Sequence, residues 1–153
     1  MPDYYKQARK LFSDVRWLIN QIQSKTNELN RLHSAAGENE AYSSGNYKQY
    51  ENQGREQDIQ NNLSGLQSKL SSLLQQLADI ASRLEEQSKY FQQDSFTYSR
   101  AGQQAQVPGA SSKMGQASQY AREYAHERSQ QASEIRDFIA WARNQSRVQT
   151  EPK

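Results

Sequence analysis

Between Ile59 and Phe91 the apolar residues recur at alternating intervals of four and three: Ile59, Leu63, Leu66, Leu70, Leu73, Leu77, Ile80, Leu84, a polar miss at Gln87, then Phe91. That alternation averages about 3.5 residues, close to one α-helical turn, so the apolar side chains line one stripe of a helix. A strand would need a period of two. Almost every residue between them is Ser, Gln, Asn, Lys, Glu or Asp. The stripe is therefore narrow, which suits a long helix with one or two helical neighbours and not a helix sunk in a globular core.

Two further periodic stretches flank this one. The first has a stripe of Tyr4, Ala8, Leu11, Val15, Leu18, Ile22, Leu29 and Leu32, broken at Lys25, with a second row of Tyr5, Phe12, Ile19 and Thr26 beside it. Asp3 stands where a side-chain oxygen can accept from the free backbone NH groups of a first turn. The last stripe is Met114, Ala117, Ala121, Tyr124, Arg128, Gln131, Ile135, Phe138 and Ala142, widened by Tyr120, Ala125, Ala132 and Ile139. It should pack tightly from Ile135 to Ala142 and loosely near Arg128. Between the first two stripes the period stops, three tyrosines (Tyr42, Tyr47, Tyr50) appear, and Gly37 reads as a left-handed cap. Pro108-Gly109 is the strongest turn signal in the chain, with Ser111 or Ser112 as a cap for the third helix.

The reading is a single helical domain over 1–153. It has a helix at about 3–33, a flexible linker at 34–54, a long helix at 56–98, a turn region at 100–113, a helix at 114–147 and a frayed tail at 148–153. The expected fold is all-α, an elongated antiparallel three-helix bundle with coiled-coil-like heptad packing and the middle helix longest. The 34% hydrophobic content is below the roughly 45–50% of globular domains, as expected when each helix buries only a stripe.

The 19 basic and 17 acidic residues nearly cancel, at a net charge of +2, so no basic field marks a nucleic-acid binder. Arg122, Arg128, Arg136, Arg143 and Arg147 are interrupted by Glu123, Glu127, Glu134 and Asp137 at spacings that favour intrahelical ion pairs. Cysteine is absent, which removes disulfides and thiolate metal sites. No run of roughly 18 apolar residues could cross a bilayer, and the first residues hold no signal-peptide core. A cytoplasmic location is expected, with non-classical secretion as the other route.

Catalysis needs a constellation of groups, and the sequence offers none. His33 and His126 are far apart, have no ligand partner at helical spacing, and read as surface histidines. No phosphate loop or nucleophile elbow is present. The chain is read as a non-enzyme with no catalytic residue, cofactor, metal site or small-molecule substrate. The expected function is a scaffold or adaptor subunit of a larger assembly. It would bind helices of its own copy or of another chain through the seam Leu63, Leu66, Leu70, Leu73, Leu77, Ile80 and Leu84. Trp17, Trp141 and Phe91 are candidate partner contacts, since aromatic residues anchor interfaces. The polar misses at Lys25, Gln87, Arg128 and Gln131 would set register or partner choice. A nucleic-acid-associated accessory role is a further alternative.

Leu63-Ser64-Gly65 is an L-x-G triplet, and Tyr90 to Asp94 is a Tyr-x-x-x-Asp element near the end of the long helix. In outline the chain resembles the helical-hairpin proteins of the type VII (WXG100 and LXG) secretion pathway and their small helical partners. That resemblance implies export, or co-binding to an exported toxin, with Tyr90 and Asp94 in the export signal. The chain departs from the pattern in its third helix and in carrying L-x-G inside a helix.

Overall fold

A computed structural model describes residues 3–42, 46–104 and 109–147, and their side chains except those of 35–42 and 46–52. These residues form three helices, α1 (Tyr4–Tyr42), α2 (Asn46–Gln104) and α3 (Ala110–Gln145). The described residues contain no strand. The middle helix is the longest, with 59 residues against 39 and 36.

The helices run further than the apolar period. The segment read as a linker over 34–54 is helical up to Tyr42 and again from Asn46, and Gly37, read as a cap, lies inside α1. Only 43–45 of that segment falls outside the described residues, and the side chains of Tyr42, Tyr47 and Tyr50 are among those not described. The physical reason is that an apolar period reports burial, not helicity. Alanine and glutamate before that gap, and glutamine and glutamate after it, are strong helix formers without any stripe to bury. In the same way α2 continues past the expected end near Tyr98 to Gln104.

The ends have local causes. The backbone NH of Lys6 donates to Asp3 Oδ1 at 3.0 Å, so Asp3 caps α1. Gly109 takes a φ of +85°, a conformation that costs glycine little and other residues more. Its carbonyl accepts from the Lys113 NH at 3.2 Å. The glycine therefore starts α3, and Ser111 and Ser112, read as caps, lie within the first turn.

Contacts divide the chain into two compact units, and each helix contributes to both. One comprises Lys10–Gln75 and Ala140–Lys153. Its buried residues are Phe12, Val15, Leu18, Ile19, Ile22 and Leu29 of α1, Ile59, Leu63, Leu70 and Leu74 of α2, and Ala142 of α3. Thr26 is buried with them, and its hydroxyl donates to the Ile22 carbonyl at 2.7 Å, which removes the cost of an unpaired buried polar group.

The other unit comprises Met1–Arg9 and Gln76–Ile139. Its aliphatic core is Leu77, Ile80 and Leu84 of α2 with Ile135 and Ile139 of α3. A second, smaller-grained column runs beside it at seven-residue spacing. Ala81, Ser88, Ser95 and Gly102 on α2 are all buried, as are Ser118, Ala125 and Ala132 on α3. Small side chains let two helix backbones come close, and here the approach is direct. The Ser88 hydroxyl donates to the Ala125 carbonyl at 2.8 Å. The Ser118 hydroxyl donates to the Ser95 carbonyl at 2.9 Å, with the two hydroxyls 3.1 Å apart. A Cβ added at Gly102 would lie 3.2 Å from that of Met114, tighter than ordinary van der Waals contact.

Candidate interaction surface

Burial sorts the large hydrophobic residues by type. Seven of them are left exposed among the described residues: Trp17 (59%), Tyr90 (57%), Phe96 (73%), Tyr98 (37%), Tyr120 (59%), Tyr124 (48%) and Trp141 (44%). All seven are aromatic. The aliphatic seam expected to face a partner lies mostly inside: Leu63, Leu70, Leu77, Ile80 and Leu84 are buried, and Leu66 and Leu73 are partly so. Leu74 and Ala81, outside the expected seam, are buried as well. The large hydrophobic side chains left exposed are therefore aromatic, and they differ between the two units.

In the unit containing Met1–Arg9, α1 reaches α2 and α3 at one level. Tyr4 meets Arg83, whose Nη1 donates to the Tyr4 hydroxyl at 3.4 Å, with the guanidinium 5.6 Å from the ring centre. The Tyr5 hydroxyl donates to Glu134 Oε2 at 2.7 Å, and that bond raises the Tyr5 phenol above its ordinary pKa. One heptad past Arg83 stands Tyr90, and two heptads before Glu134 stands Tyr120. A heptad returns to nearly the same side of a helix, so both tyrosines lie on the flanks that α1 covers further along.

Burial changes along α2. In the α2 column Leu77, Leu84, Phe91, Tyr98, exposure rises from 0% and 1% at the leucines to partial exposure at Phe91 and 37% at Tyr98. The neighbouring column facing α3 stays buried from Ala81 to Gly102. One column stays closed and the other opens. There the aromatic rings meet one another: Phe91 lies 5.5 Å from Tyr124 across the two helices and 6.2 Å edge-on from Tyr90, centre to centre. Asp94, one turn past Tyr90, is partly buried.

The polar misses find partners in this unit. Gln87 and Arg128 interrupt the stripes of two different helices, and the Arg128 Nε donates to the Gln87 Oε1 at 3.2 Å. Gln131 donates to Glu127 at 3.2 Å. Lys25, in the other unit, pairs with Glu28 at 3.3 Å. The expected pattern of intrahelical pairs for the α3 arginines is corrected in part. Arg128 does pair with its neighbour Glu127 at 3.4 Å. Arg136, however, reaches across to Glu85 and to Ser82, and Arg122 reaches across to Ser95. These arginines flank the packed columns, so the nearest acceptors belong to the neighbouring helix.

The Arg136 hydrogen bond holds the Glu85 carboxyl below its ordinary pKa. A lowered carboxyl stabilises the fold above its unfolded-state pKa and loses that contribution as pH falls through the folded value. Arg136→Ala should therefore cost about 0–1 kcal/mol at neutral pH, the range of an exposed pair. The difference from the parent should disappear in acid, below the ordinary carboxylate range, as read from urea midpoints at several pH values.

In the unit containing Trp17, that indole borders a shallow cleft with Asp14, Leu18, Lys69, Ser72 and Leu73. Trp141, on the α3 segment of the same unit, is also exposed. His33, read as a surface residue, has a side chain only 15% exposed. Its Nε2 lies 2.9 Å from Glu56 Oε1, and its Nδ1 is buried without a hydrogen-bond partner. Its partner comes from the next helix, 23 residues on, where no helical spacing points. Among the described residues no group of His, Cys, Asp and Glu could hold a metal ion, and no helix is long and apolar enough to cross a membrane. No protein family, curated protein or solved structure matches this chain.

Proposed function

We propose that this protein is a non-enzymatic helical interaction subunit that works by presenting aromatic-lined helix faces to other helices. The observation that carries the reading is the sorting of side chains: the large hydrophobics left in water are all aromatic. Tyrosine and tryptophan are the residues enriched at protein interfaces, where a large apolar ring and a polar tip serve both the buried and the wet state. Scattered exposed hydrophobics need no explanation, but Tyr90, Phe91 and Tyr124 form one contiguous group of rings.

In this proposal α2 and α3 lie antiparallel with heptad packing. The support is the series of contacts Glu85 with Arg136, Gln87 with Arg128, Ser88 with Ala125 and Ser95 with Ser118, in which numbers rise along α2 as they fall along α3. The seven-residue spacing of the buried columns supports the heptad part.

The test is affinity purification of the tagged full chain from its host. One helical protein should be recovered in stoichiometric amount, either this chain itself or another. The yield should fall in a Tyr90→Ser/Tyr124→Ser variant or in a Trp17→Ser/Trp141→Ser variant. Recovery of nothing in fixed proportion overturns the proposal. So does salt-sensitive retention of nucleic acid as the sole companion, which would favour the accessory role. Appearance of the protein in the culture medium, abolished by Tyr90→Ala or Asp94→Ala, would favour the export reading instead.

A further inference from the structure

We infer that His33 and Glu56 form a register lock: a polar pair set into the buried rows of α1 and α2 that fixes which turn of one helix faces which turn of the other. Its role is independent of the partner that the aromatic faces take.

Both residues stand where an apolar side chain is expected. His33 continues the α1 row Phe12, Ile19, Thr26 at the same seven-residue step, and Glu56 precedes Leu63 and Leu70 of α2 at that step. The other members of both rows are buried. At 15% and 21% exposure the two side chains are themselves largely out of water. His33 Nε2 lies 2.9 Å from Glu56 Oε1, and Gln60, one turn along α2, donates to the same oxygen at 3.4 Å. The carboxylate is thus anchored on its own helix as well as across the seam.

Stability does not account for the pair. The His33 Nδ1 is buried with no hydrogen-bond partner, and an orphaned buried atom carries a cost that two leucines would not. What the pair adds is discrimination between alignments, the use to which a polar residue in an apolar seam is best suited.

Apolar rows that repeat every seven residues fit one another again after a slip of one heptad. Within the unit containing Lys10–Gln75, the cleft sets Asp14, Trp17 and Leu18 beside Lys69, Ser72 and Leu73, and His33 lies beside Glu56. Numbers therefore rise along α1 as they fall along α2. In such a hairpin a one-heptad slip displaces the turn by only half a heptad, so the turn by itself is a weak obstacle. Sliding one way sets His33 against Leu63. Sliding the other way sets Glu56 against Thr26, whose hydroxyl proton is already given to the Ile22 carbonyl. Either slip leaves a buried polar group without its partner. The exposed contacts of Tyr4 with Arg83 and of Tyr5 with Glu134 discriminate less, because polar contacts in water are worth little.

The experiment measures the alignment directly in the full chain. Because the chain has no cysteine, spin labels attach only through Asn27→Cys and Asn62→Cys, both at exposed positions of the hairpin. Pulsed electron resonance should give one narrow distance between them in the parent. In His33→Leu/Glu56→Leu a second distance should appear, from molecules slipped by one heptad, about 10 Å along the helix axis. The same variant should have a higher urea midpoint, since the orphaned atom is gone. The exchanged pair, His33→Glu/Glu56→His, should return the single narrow distance, because the same two groups meet. A single distance in the double-leucine variant overturns the inference, as does a lowered midpoint or loss of helical content there, which would make the pair a source of stability. Two distances in the exchanged pair overturn it as well. None of these results bears on capture of a partner, so the proposed function stands or falls separately.

Discussion

Replacing Ile135 with alanine should lower the stability of the fold by roughly 2–5 kcal/mol, seen as a lower urea midpoint with an unchanged slope. Ile135 is 0% exposed and ranks with Ile22, Leu77, Leu84 and Val15 among the largest fully buried side chains. It lies on the buried side of α3, with Ile139 one turn further on. Deleting its three outer carbons forfeits their transfer free energy and leaves a cavity that long, stiff helices cannot collapse around. The comparison is Tyr120→Ala, exposed by 59%, which should change the monomer's stability by no more than about 0.5 kcal/mol. If Ile135→Ala fell in that same small range, the column would not be core.

Enlarging Ala125 to leucine should also destabilise, by about 1–3 kcal/mol, through overpacking. Ala125 is 3% exposed, and its carbonyl accepts the Ser88 hydroxyl at 2.8 Å. The extra carbons have no room unless α2 and α3 move apart, and that movement stretches the hydrogen bond and leaves a buried hydroxyl short of its partner. Ser88→Ala by itself removes only the bond and should cost about 0.5–1.5 kcal/mol. The double variant should lose less than the sum, because the two changes break one contact. A neutral or stabilising Ala125→Leu would mean that the helices do not approach closely there.

These two positions mark the limit of what an apolar period can reveal. Ile135 is an aliphatic residue at helical spacing, and its burial is legible in the chain alone. So are the buried members of the α1 rows and of the α2 stripe. Ala81, Ser88, Ser95 and Gly102 carry too little apolar surface to register as a stripe, yet all are buried. Their burial comes from how near the neighbouring helix approaches, not from their own dislike of water. The hydrogen bond between Gln87 and Arg128 has the same character. Each looks like a fault in its own stripe, and the pairing exists only because two stripes are brought together.

The aromatic face is half visible in the residue order. Phe91, Tyr90 and Asp94 stand out there, each for a separate reason. Tyr98, Tyr120 and Tyr124 do not stand out as one surface, because their exposure depends on how α2 and α3 pack and not on their own spacing. An apolar period understates the helix lengths for a simpler reason. Polar helix formers extend a helix without any stripe, so the stretch before Tyr42 and the one after Asn46 leave no such trace.

Helicity and the aliphatic interior are written into the residue order, since backbone propensity and a 3.5-residue apolar repeat are local properties that act before any partner is met. Which small residues are buried, which arginine meets which acceptor and which rings are left in water are settled by packing. Each depends on the distance to a helix tens of residues away along the chain, and no local pattern contains that distance.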